Sequence, residues 1–452
     1  MDEEFRKDFE ELVALMDAGK LLDFKKKAAD CLPVDIAEGL EEIEEDARVI
    51  KLFRMLPKDI SSDVFSYMNS DQQQLIAESA SNAELKALVD DMFLDDTVDF
   101  LEEMPANVVK KVLQNADEST RKLINQFLNY PENSAGSLMT IEYVDLRDYF
   151  TVRTAMDYIR RTGIDQETVY TCYVIDEQRR LVGHVSLRKL IVAPESTYIR
   201  DIMDTNTVSA TTTDDQEVVA EDFRHYDLTS IAVTDKENRL VGIITIDDIV
   251  DVITEENTED IKKMAAIIPS DEEYMDAGVM HLVAHRLPWL MIMMISATLS
   301  STIITSFESV LAGAVVLTAF IPMLTGSAGN SGSQTSVTII RNMALGEIEP
   351  RDVLRVLWKE LRVAVIAGGV LAVVEFLILL ITPEIAATVA LTISISLWLT
   401  VILAMSVGCL LPMGAKKVGL DPALMSSPMI TTIVDACSLL IYFSIAKMLL
   451  GL

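Results

Sequence analysis

The chain divides into a stretch with amphipathic spacing and a stretch dominated by long apolar runs. Up to about residue 273, apolar residues recur at helical spacing between polar turns, or form short strand-like runs. From residue 287 to residue 452 the apolar runs reach the length of about 20 residues that a membrane-spanning helix needs. The pattern therefore predicts a water-soluble N-terminal region and a membrane-embedded C-terminal region. A length of 452 residues also indicates several domains.

The apolar stretch predicts about five transmembrane helices, at residues 287–306, 311–340, 363–381, 387–411 and 424–450. Basic residues lie in the second-to-third and fourth-to-fifth connections, at Arg341, Arg351, Arg355, Lys359, Arg362, Lys416 and Lys417. Because cytosolic loops are enriched in Lys and Arg, this places the N-terminus in the cytosol and the C-terminus outside. We expect a multi-pass protein of the plasma membrane. The acidic, amphipathic N-terminus does not resemble a cleavable signal peptide.

One carboxylate, Asp435, lies well inside the fifth apolar run. A charge at such a depth costs roughly 2.5–3.5 kcal/mol on insertion scales, so it requires a partner or a water-filled cavity. No Lys or Arg lies in the middle of the predicted spans to neutralise it, which makes a cation the natural counter-charge. A structural Asp435, hydrogen-bonded to Thr or Asn on a neighbouring helix, is the alternative.

The second span contains Pro322 and several glycines, which predict an interrupted helix with free backbone carbonyls. Tight packing of small residues would also explain the glycines. Asn330, Gln334 and Asp435 together favour a water-filled pathway over packing alone. The candidate pathway residues beside Asp435 are Pro322, Gly329, Asn330, Gln334, Pro428, Thr431 and Thr432.

The soluble region contains two kinds of repeat. Residues 32–130 alternate amphipathic helices with short turns, which indicates an all-α domain of helical repeats. The segment 173–183 recurs as 232–242, each time as strand, polar turn and strand followed by a helix near Leu187 or Asp247. This α/β pattern, over about residues 137–252, resembles a tandem pair of cystathionine-β-synthase (CBS) domains. Such domains commonly bind adenine nucleotides, so ATP is a candidate ligand, with unassigned binding residues.

The formal net charge of -32 and the isoelectric point near 4.4 argue against nucleic acid as a partner and favour cations. Simple solubility would also explain them. Carboxylates crowd two predicted helices, where like charges repel. Such faces favour divalent cations or a basic partner, and a solvated acidic surface is the alternative. The candidate regulatory ligands are Asp95, Asp96, Asp99, Asp247, Asp248, Asp251, Glu255, Glu256 and Glu259.

Neither cysteines nor histidines indicate a catalytic or zinc site. The four cysteines lack CxxC spacing, and we expect free thiols. We interpret the histidines, His184, His225, His281 and His285, as structural or interfacial rather than catalytic. Without a P-loop or a catalytic set of side chains, the chain is not expected to be an enzyme.

Taken in order, these regions resemble the MgtE family of magnesium channels over essentially the whole chain. The matching motifs are LDDTVD at 94–99, YPENSAGSLM at 130–139, FIP at 320–322, GNSGSQ at 329–334, Arg341 with ALGE at 344–347, SP at 427–428, TTIVD at 431–435 and IYF at 441–443. The resemblance implies a homodimer whose pore lies between the second and fifth spans of both copies, with two Asp435 carboxylates holding a hydrated ion. Ala328 and Ser438 stand where glycines are usual.

The resemblance implies domains at 1–133 (acidic, helical), 134–254 (CBS pair), 255–283 (a connecting, pore-plugging helix) and 284–452 (five-helix pore). We expect a magnesium-selective channel for Mg²⁺ uptake that closes when Mg²⁺ binds the acidic soluble domains. One alternative is a secondary transporter coupled to protons or sodium, which broken helices and a midplane carboxylate would also suit. Another is a nucleotide-gated sensor or a membrane enzyme.

Overall fold

A computed structural model describes residues 3–270, 274–275, 277–382, 385–425 and 427–451. The chain folds into two compact units, Met1–Ile253 and Thr254–Leu452. We call them the N-terminal unit and the membrane unit. The predicted combination of a helical domain, CBS domains and apolar helices is confirmed.

The first part of the N-terminal unit is a run of short helices. Alternate helices pack on one another, α3 on α5, α4 on α6, α5 on α7 and α7 on α9, which makes a helical repeat as predicted. Pro57 and Pro105 are the N-cap residues of α5 and α9, so each proline follows the end of the preceding helix. The helices are α1 (Glu3–Asp17), α2 (Leu21–Ala29), α3 (Pro33–Glu41), α4 (Asp46–Met55), α5 (Lys58–Ser66), α6 (Ser70–Ser79), α7 (Asn82–Asp91), α8 (Leu94–Glu103), α9 (Ala106–Asn115), α10 (Glu118–Phe127) and α11 (Ala135–Leu138).

Two three-stranded sheets follow, in the orders β1-β2-β3 and β4-β5-β6. In each sheet the first two strands pair in parallel and the last two antiparallel. The turns are equivalent: Arg179 and Asn238 both have positive φ, and each backbone carbonyl accepts from the other copy's strand. The predicted repeat is confirmed. The elements are β1 (Tyr143–Arg147), α12 (Val152–Thr162), β2 (Thr168–Ile175), β3 (Leu181–Ser186), α13 (Leu187–Val192), α14 (Ile199–Ile202), β4 (Ser209–Thr211), α15 (Gln216–Tyr226), β5 (Ser230–Thr234), β6 (Leu240–Thr245) and α16 (Ile246–Met264).

The membrane unit consists of long helices. They are α17 (Val279–Ser306), α18 (Glu308–Gly313), α19 (Ile321–Ala344), α20 (Val353–Ile381), α21 (Ala387–Lys417) and α22 (Ser427–Leu450). Among the described residues, the helices that include α17, α20, α21 and α22 are long and apolar enough to cross a membrane. The predicted second span corresponds to α18, a 3-10 helix (Val315–Phe320) and α19, which is too polar to satisfy the same criteria.

Among the described residues, the connecting segment 255–283 is helical only at its two ends. The family resemblance implied a connecting, pore-plugging helix over this segment. Instead α16 ends at Met264 and α17 begins at Val279. The described residues between them are not helical, and Ala266 has a positive φ that favours ending the helix.

The prediction that the glycines interrupt the helix is wrong. Residues 321–344 form one α-helix, with Pro322 in its first turn, where a missing N–H group costs nothing. The break lies earlier, at the 3-10 helix before Pro322. The glycines instead allow close packing: a methyl group built at Gly332 would lie 2.7 Å from Ile430 Cγ2, and one built at Gly408 would collide with the Gly332 carbonyl.

Candidate functional site

Asp435 lies on the half-buried side of α22, in the third turn of the helix. Its Oδ1 atom is buried and has no hydrogen-bond donor within the part of the chain that the structure describes. The alternative of a carboxylate satisfied at this atom by Thr or Asn is therefore not observed. A buried, unpaired carboxylate oxygen is costly unless an ion, water or another chain satisfies it.

Helices α19 and α22 are held in close contact beside Asp435. Gly329 lies under Thr431, so that a side chain at Gly329 would collide with the threonine methyl group. Ala328 is fully buried in a small apolar cluster with Ala404, Ile430 and Val434. Alanine in place of the usual glycine therefore fits here, because its methyl group packs within this cluster.

The 3-10 helix before α19 is also fixed to α22. The buried Tyr442 hydroxyl donates to the Leu317 carbonyl oxygen at 2.9 Å. One residue further on, Phe443 stacks on Phe307 with ring centroids 5.0 Å apart. These contacts satisfy part of the irregular backbone at the point where the helix is interrupted.

The candidate pathway residues divide into two groups. Pro322, Asn330 and Gln334 lie on the exposed face of α19. Gly329 is buried, and it packs against Thr431. On α22, the residues Pro428, Thr431 and Thr432 are half-buried in the turns that precede Asp435.

Ser438, the other departure from the usual glycines, does not bind Asp435. Its hydroxyl is buried and donates to the Val434 carbonyl oxygen at 2.6 Å, within the same helix.

Glu375, a half-buried carboxylate in the apolar run of α20, was not among the residues predicted from the sequence. The same signal that identified Asp435, a charge inside an apolar stretch, would have found it.

In the N-terminal unit, carboxylates from separate elements form an acidic cluster, which we define as Asp63, Asp95, Asp96, Asp99, Glu142, Glu167, Asp247 and Asp248. Asp95 and Asp96 lie in the first turn of α8, where the helix dipole favours negative charge. Asp95 is buried and accepts a hydrogen bond from the Asp96 backbone N–H at 3.0 Å. Asp248 accepts from the Thr245 hydroxyl at 2.8 Å.

Burial and mutual repulsion raise the pKa values of several carboxylates in the acidic cluster. Burial, reinforced by the charge of Asp248, raises the pKa of Asp96 to about 6. Burial and the charges of Asp247 and Asp248 raise the pKa of Glu167 to about 7. The pKa of Asp95 is raised well above its usual range for the same reasons, burial first. The cluster is therefore under electrostatic stress at neutral pH, which a cation would relieve.

Asp99 lies at the exposed rim of this cluster. Its pKa is raised, first by burial of its surroundings and then by the charge of Glu102, but its side chain is solvent-exposed. Water therefore screens it more than it screens Asp96. The unfavourable electrostatic energy of ionisation is therefore concentrated on the inner members, Asp95 and Asp96.

The cluster is not a preformed metal centre. Within the described residues, no three His, Cys, Asp or Glu side chains converge to hold an ion. Among the described residues, none of the ion pairs with Lys or Arg includes a member of the cluster. A hydrated ion, held through its own waters, fits such spread carboxylates better than a fully dehydrated one.

The structure separates the predicted acidic helix into two groups. Asp247 and Asp248 join the acidic cluster, whereas Asp251, Glu255 and Glu256 lie further along α16. Near the end of α16, Glu259 pairs with Lys263 at 2.8 Å. Lys263 also contacts Asp421, at 2.7 Å, in the connection that leads into α22.

Sequence reasoning missed Asp63, Glu142 and Glu167. They lie in α5, next to β1 and next to β2, far apart in the sequence, and only the fold brings them to α8 and α16. No local sequence signal distinguishes them from ordinary surface carboxylates.

Comparisons with known proteins agree with a helical N-terminal domain, CBS domains and a membrane region. Residues 321–445 match a family of divalent cation transporters, residues 32–133 match the MgtE intracellular N domain and residues 199–255 match the CBS domain. A magnesium transporter MgtE from Thermus thermophilus is 36% identical, over 92% of this chain and 93% of its own length. One from Bacillus subtilis is 32% identical, over 96% of each chain. The chain belongs to the MgtE family.

Solved structures support the fold of the soluble part of this MgtE chain. The cytosolic domain of the Mg²⁺ channel MgtE in complex with ATP is 33% identical, with a TM-score of 0.51, covering 53% of this chain and 98% of that one. The family matches also contain the candidate residues: Asp435 lies in the transporter segment, and Asp96 lies in the MgtE N domain. MgtE proteins are membrane ion transporters, so the chain is a multi-pass membrane protein rather than a member of an enzyme family.

Proposed function

We propose that this MgtE chain conducts Mg²⁺ through the membrane along a pathway that passes Asp435. The observation that carries the proposal is the buried, unpaired Oδ1 of Asp435, on a helix packed against the polar helix α19. The named relatives are magnesium transporters, which supports Mg²⁺ as the transported ion. Asp435 binds the ion through its water shell, because Mg²⁺ dehydrates reluctantly.

A second copy of the chain completes the pathway in this proposal. Asn330 and Gln334 lie on the exposed face of α19, although lipid would not satisfy their amide groups. A homodimer in which the α19 faces and the two Asp435 side chains face each other gives these groups polar surroundings. The ion then passes between the copies.

We also propose that the N-terminus lies in the cytosol and the C-terminus outside. The basic residues Arg351 and Arg355 precede the apolar part of α20, and Lys416 and Lys417 end α21. Both positions then lie on the cytosolic side, as the positive-inside rule requires. Cysteine labelling at each end of the chain in sealed vesicles tests this arrangement.

The Asp435 proposal is tested by Mg²⁺ flux into vesicles containing the purified full-length chain. We expect Asp435→Asn to reduce flux at least tenfold, because the amide keeps the shape but removes the charge. Glu308→Gln is the matched control, since Glu308 is an exposed carboxylate of the short helix α18, and it should conduct normally. Wild-type flux through Asp435→Asn would contradict the proposal.

A regulatory role is proposed for the acidic cluster. Mg²⁺ bound there, with further ions at Asp251, Glu255, Glu256 and Glu259, neutralises the mutual repulsion of the carboxylates. Only a ligand that binds one state better shifts the balance between states. Here the ion favours the compact N-terminal unit, and α16 carries the change to Asp421 through Lys263.

Limited proteolysis of the full chain tests this regulation. We expect millimolar Mg²⁺ to slow cleavage near α8 and α16 in the wild-type protein, and to slow it much less in Asp96→Asn with Asp248→Asn. The control is Asp201→Asn with Glu237→Gln, two exposed carboxylates outside the acidic cluster. Equal protection of both double variants would rule the acidic cluster out as the regulatory site.

ATP is proposed as a modulator that binds the first CBS domain. A cavity of about 350 Å³ is lined there by Tyr170, Ser186, Leu187, Arg188, Ile191 and Val192. An aromatic ring and aliphatic side chains suit an adenine base, and a guanidinium suits phosphate. Arg188→Gln should weaken ATP binding measured by calorimetry, whereas the adjacent Lys189→Gln should not. Equal affinities would exclude this cavity.

Coupled ion exchange is a second candidate, favoured by Glu375. This carboxylate lies within the apolar run of α20, and intramembrane carboxylates commonly carry protons or ions. A coupled transporter should acidify or alkalinise vesicles as Mg²⁺ enters, and Glu375→Gln should abolish that signal. Mg²⁺ flux without proton or sodium movement favours the channel.

A further inference from the structure

Two histidines at the start of α17 lie against each other. His281 and His285 are four residues apart on one helix face, and their ring centroids are 4.2 Å apart with the planes tilted by 51°. Both side chains are half-buried. Positions i and i+4 of a helix are neighbours, so the helix itself holds the two imidazoles together.

A hydrogen bond sets the chemical form of His285. Its Nδ1 lies 2.9 Å from the backbone carbonyl oxygen of Ile268. A carbonyl only accepts, so Nδ1 must carry the proton and donate it. In the neutral ring, Nε2 then bears the lone pair. A histidine oriented by a backbone carbonyl in this way is the usual arrangement of a metal ligand.

We propose that His281 and His285 bind a transition-metal ion of the class that prefers imidazole, such as Ni²⁺, Zn²⁺ or Cu²⁺. Each ring contributes one nitrogen, and water completes the coordination. Mg²⁺ is excluded from this site by chemistry, since it takes oxygen ligands in octahedral geometry. The site is therefore chemically distinct from Asp435 and from the acidic cluster, and it does not depend on the function proposed above.

The position of the pair joins two segments of the membrane unit. Ile268 follows the end of α16, and His285 lies in the second turn of α17, so the hydrogen bond links the end of one helix to the start of the next. An ion on the two rings fixes the orientation of His285 and strengthens this bridge. Metal binding is thus expected to stabilise the folded chain, because a ligand that binds only the folded state does so by mass action.

The test is calorimetric titration of the full-length chain in detergent with NiCl₂, in excess Mg²⁺ so that oxygen sites are occupied. We expect one Ni²⁺ per chain, with affinity reduced at least about tenfold in either His281→Gln or His285→Gln. His225→Gln is the matched control, because His225 contacts Tyr226 edge to face with centroids 4.7 Å apart and is not part of this pair. Unchanged Ni²⁺ affinity in both pair variants would overturn the proposal.

A second variant separates geometry from histidine content. Combining Val283→His with His285→Ala keeps two histidines in this turn but places them on different helix faces, and Val283 is exposed enough to accept the change. We expect this protein to lose Ni²⁺ binding and the accompanying rise in melting temperature, which His225→Gln should retain. Full binding by the rearranged pair would show that the i, i+4 geometry is irrelevant and would refute the site.

Discussion

Asp435 and the acidic cluster present the same chemical group in opposite settings. Asp435 is a single carboxylate in an apolar helix, with a buried oxygen that no described donor contacts. In the acidic cluster, carboxylates from five separate parts of the chain repel one another while partly buried. The first site is costly because of where its charge lies, and the second because of how many charges meet. Both favour a cation, but for different physical reasons.

The largest expected effect concerns the pH dependence of the acidic cluster. Asp96 and Glu167 have folded-state pKa values of about 6 and about 7, above those of unfolded chains. Groups with raised pKa stabilise the fold fully at low pH, and this stability is lost as pH rises from about 4 to about 7. We expect the Mg²⁺-free N-terminal unit to lose stability across that interval, at up to about 1.4 kcal/mol per pKa unit for Asp96 and less for Glu167, which water screens more.

Hydrogen exchange of the full-length chain measures this loss at α8 and α16. Mg²⁺ binds the ionised carboxylates, so it should slow exchange strongly at pH 8 and little at pH 5. Equal protection by Mg²⁺ at both values would contradict the proposed stress. Exchange in α12, which contributes no carboxylate to the acidic cluster, provides an internal reference.

Removing one charge from the acidic cluster should stabilise it. Asp96→Asn eliminates a half-buried carboxylate whose pKa burial raises from 3.8 to about 6. At pH 8 without Mg²⁺ we expect slower exchange in α8, equivalent to roughly 1–3 kcal/mol. Asp201→Asn, on an exposed side chain, should change little. Faster exchange in Asp96→Asn would mean that Asp96 makes a favourable contact that outweighs repulsion.

Helix packing beside Asp435 can be tested by comparing two glycines of α19, one in close contact with its neighbours and one without a close neighbour. Gly332→Ala places a methyl group 2.7 Å from Ile430 Cγ2 and 3.2 Å from the Ala404 carbonyl oxygen, so α19 must move. Overpacking of this kind costs typically about 1–3 kcal/mol. We expect a lower melting temperature and reduced Mg²⁺ flux. Gly326→Ala is the control, because nothing lies within 4 Å of a methyl group built there. Equal loss in both variants would indicate a helix-wide effect rather than local packing.

Sequence reasoning succeeded where the signal was local. A repeated strand-turn-strand pattern predicted both CBS sheets. A charge in an apolar run also directed attention to Asp435, whose role stays a prediction. It failed at the glycines of α19, because a glycine that permits a break and a glycine that permits close helix contact look alike. Only the neighbour decides between them, and here Thr431 and Ile430 occupy the space. Glu167 likewise could not be identified from the sequence, because its pKa is raised only by burial and by charged residues that the fold brings near it.

The smallest expected effect concerns the hydrogen bond that fixes the interrupted part of the second span. Tyr442→Phe removes the donor to the Leu317 carbonyl oxygen while leaving the buried ring in place. A net loss of about 1 kcal/mol is expected, with a further cost if the carbonyl stays buried and unpaired. Tyr149→Phe, on an exposed ring, should leave the melting temperature unchanged. If Tyr442→Phe lowers Mg²⁺ flux more than stability, the 3-10 helix positions α19 for conduction; if it changes neither, the break before Pro322 is held by apolar packing alone.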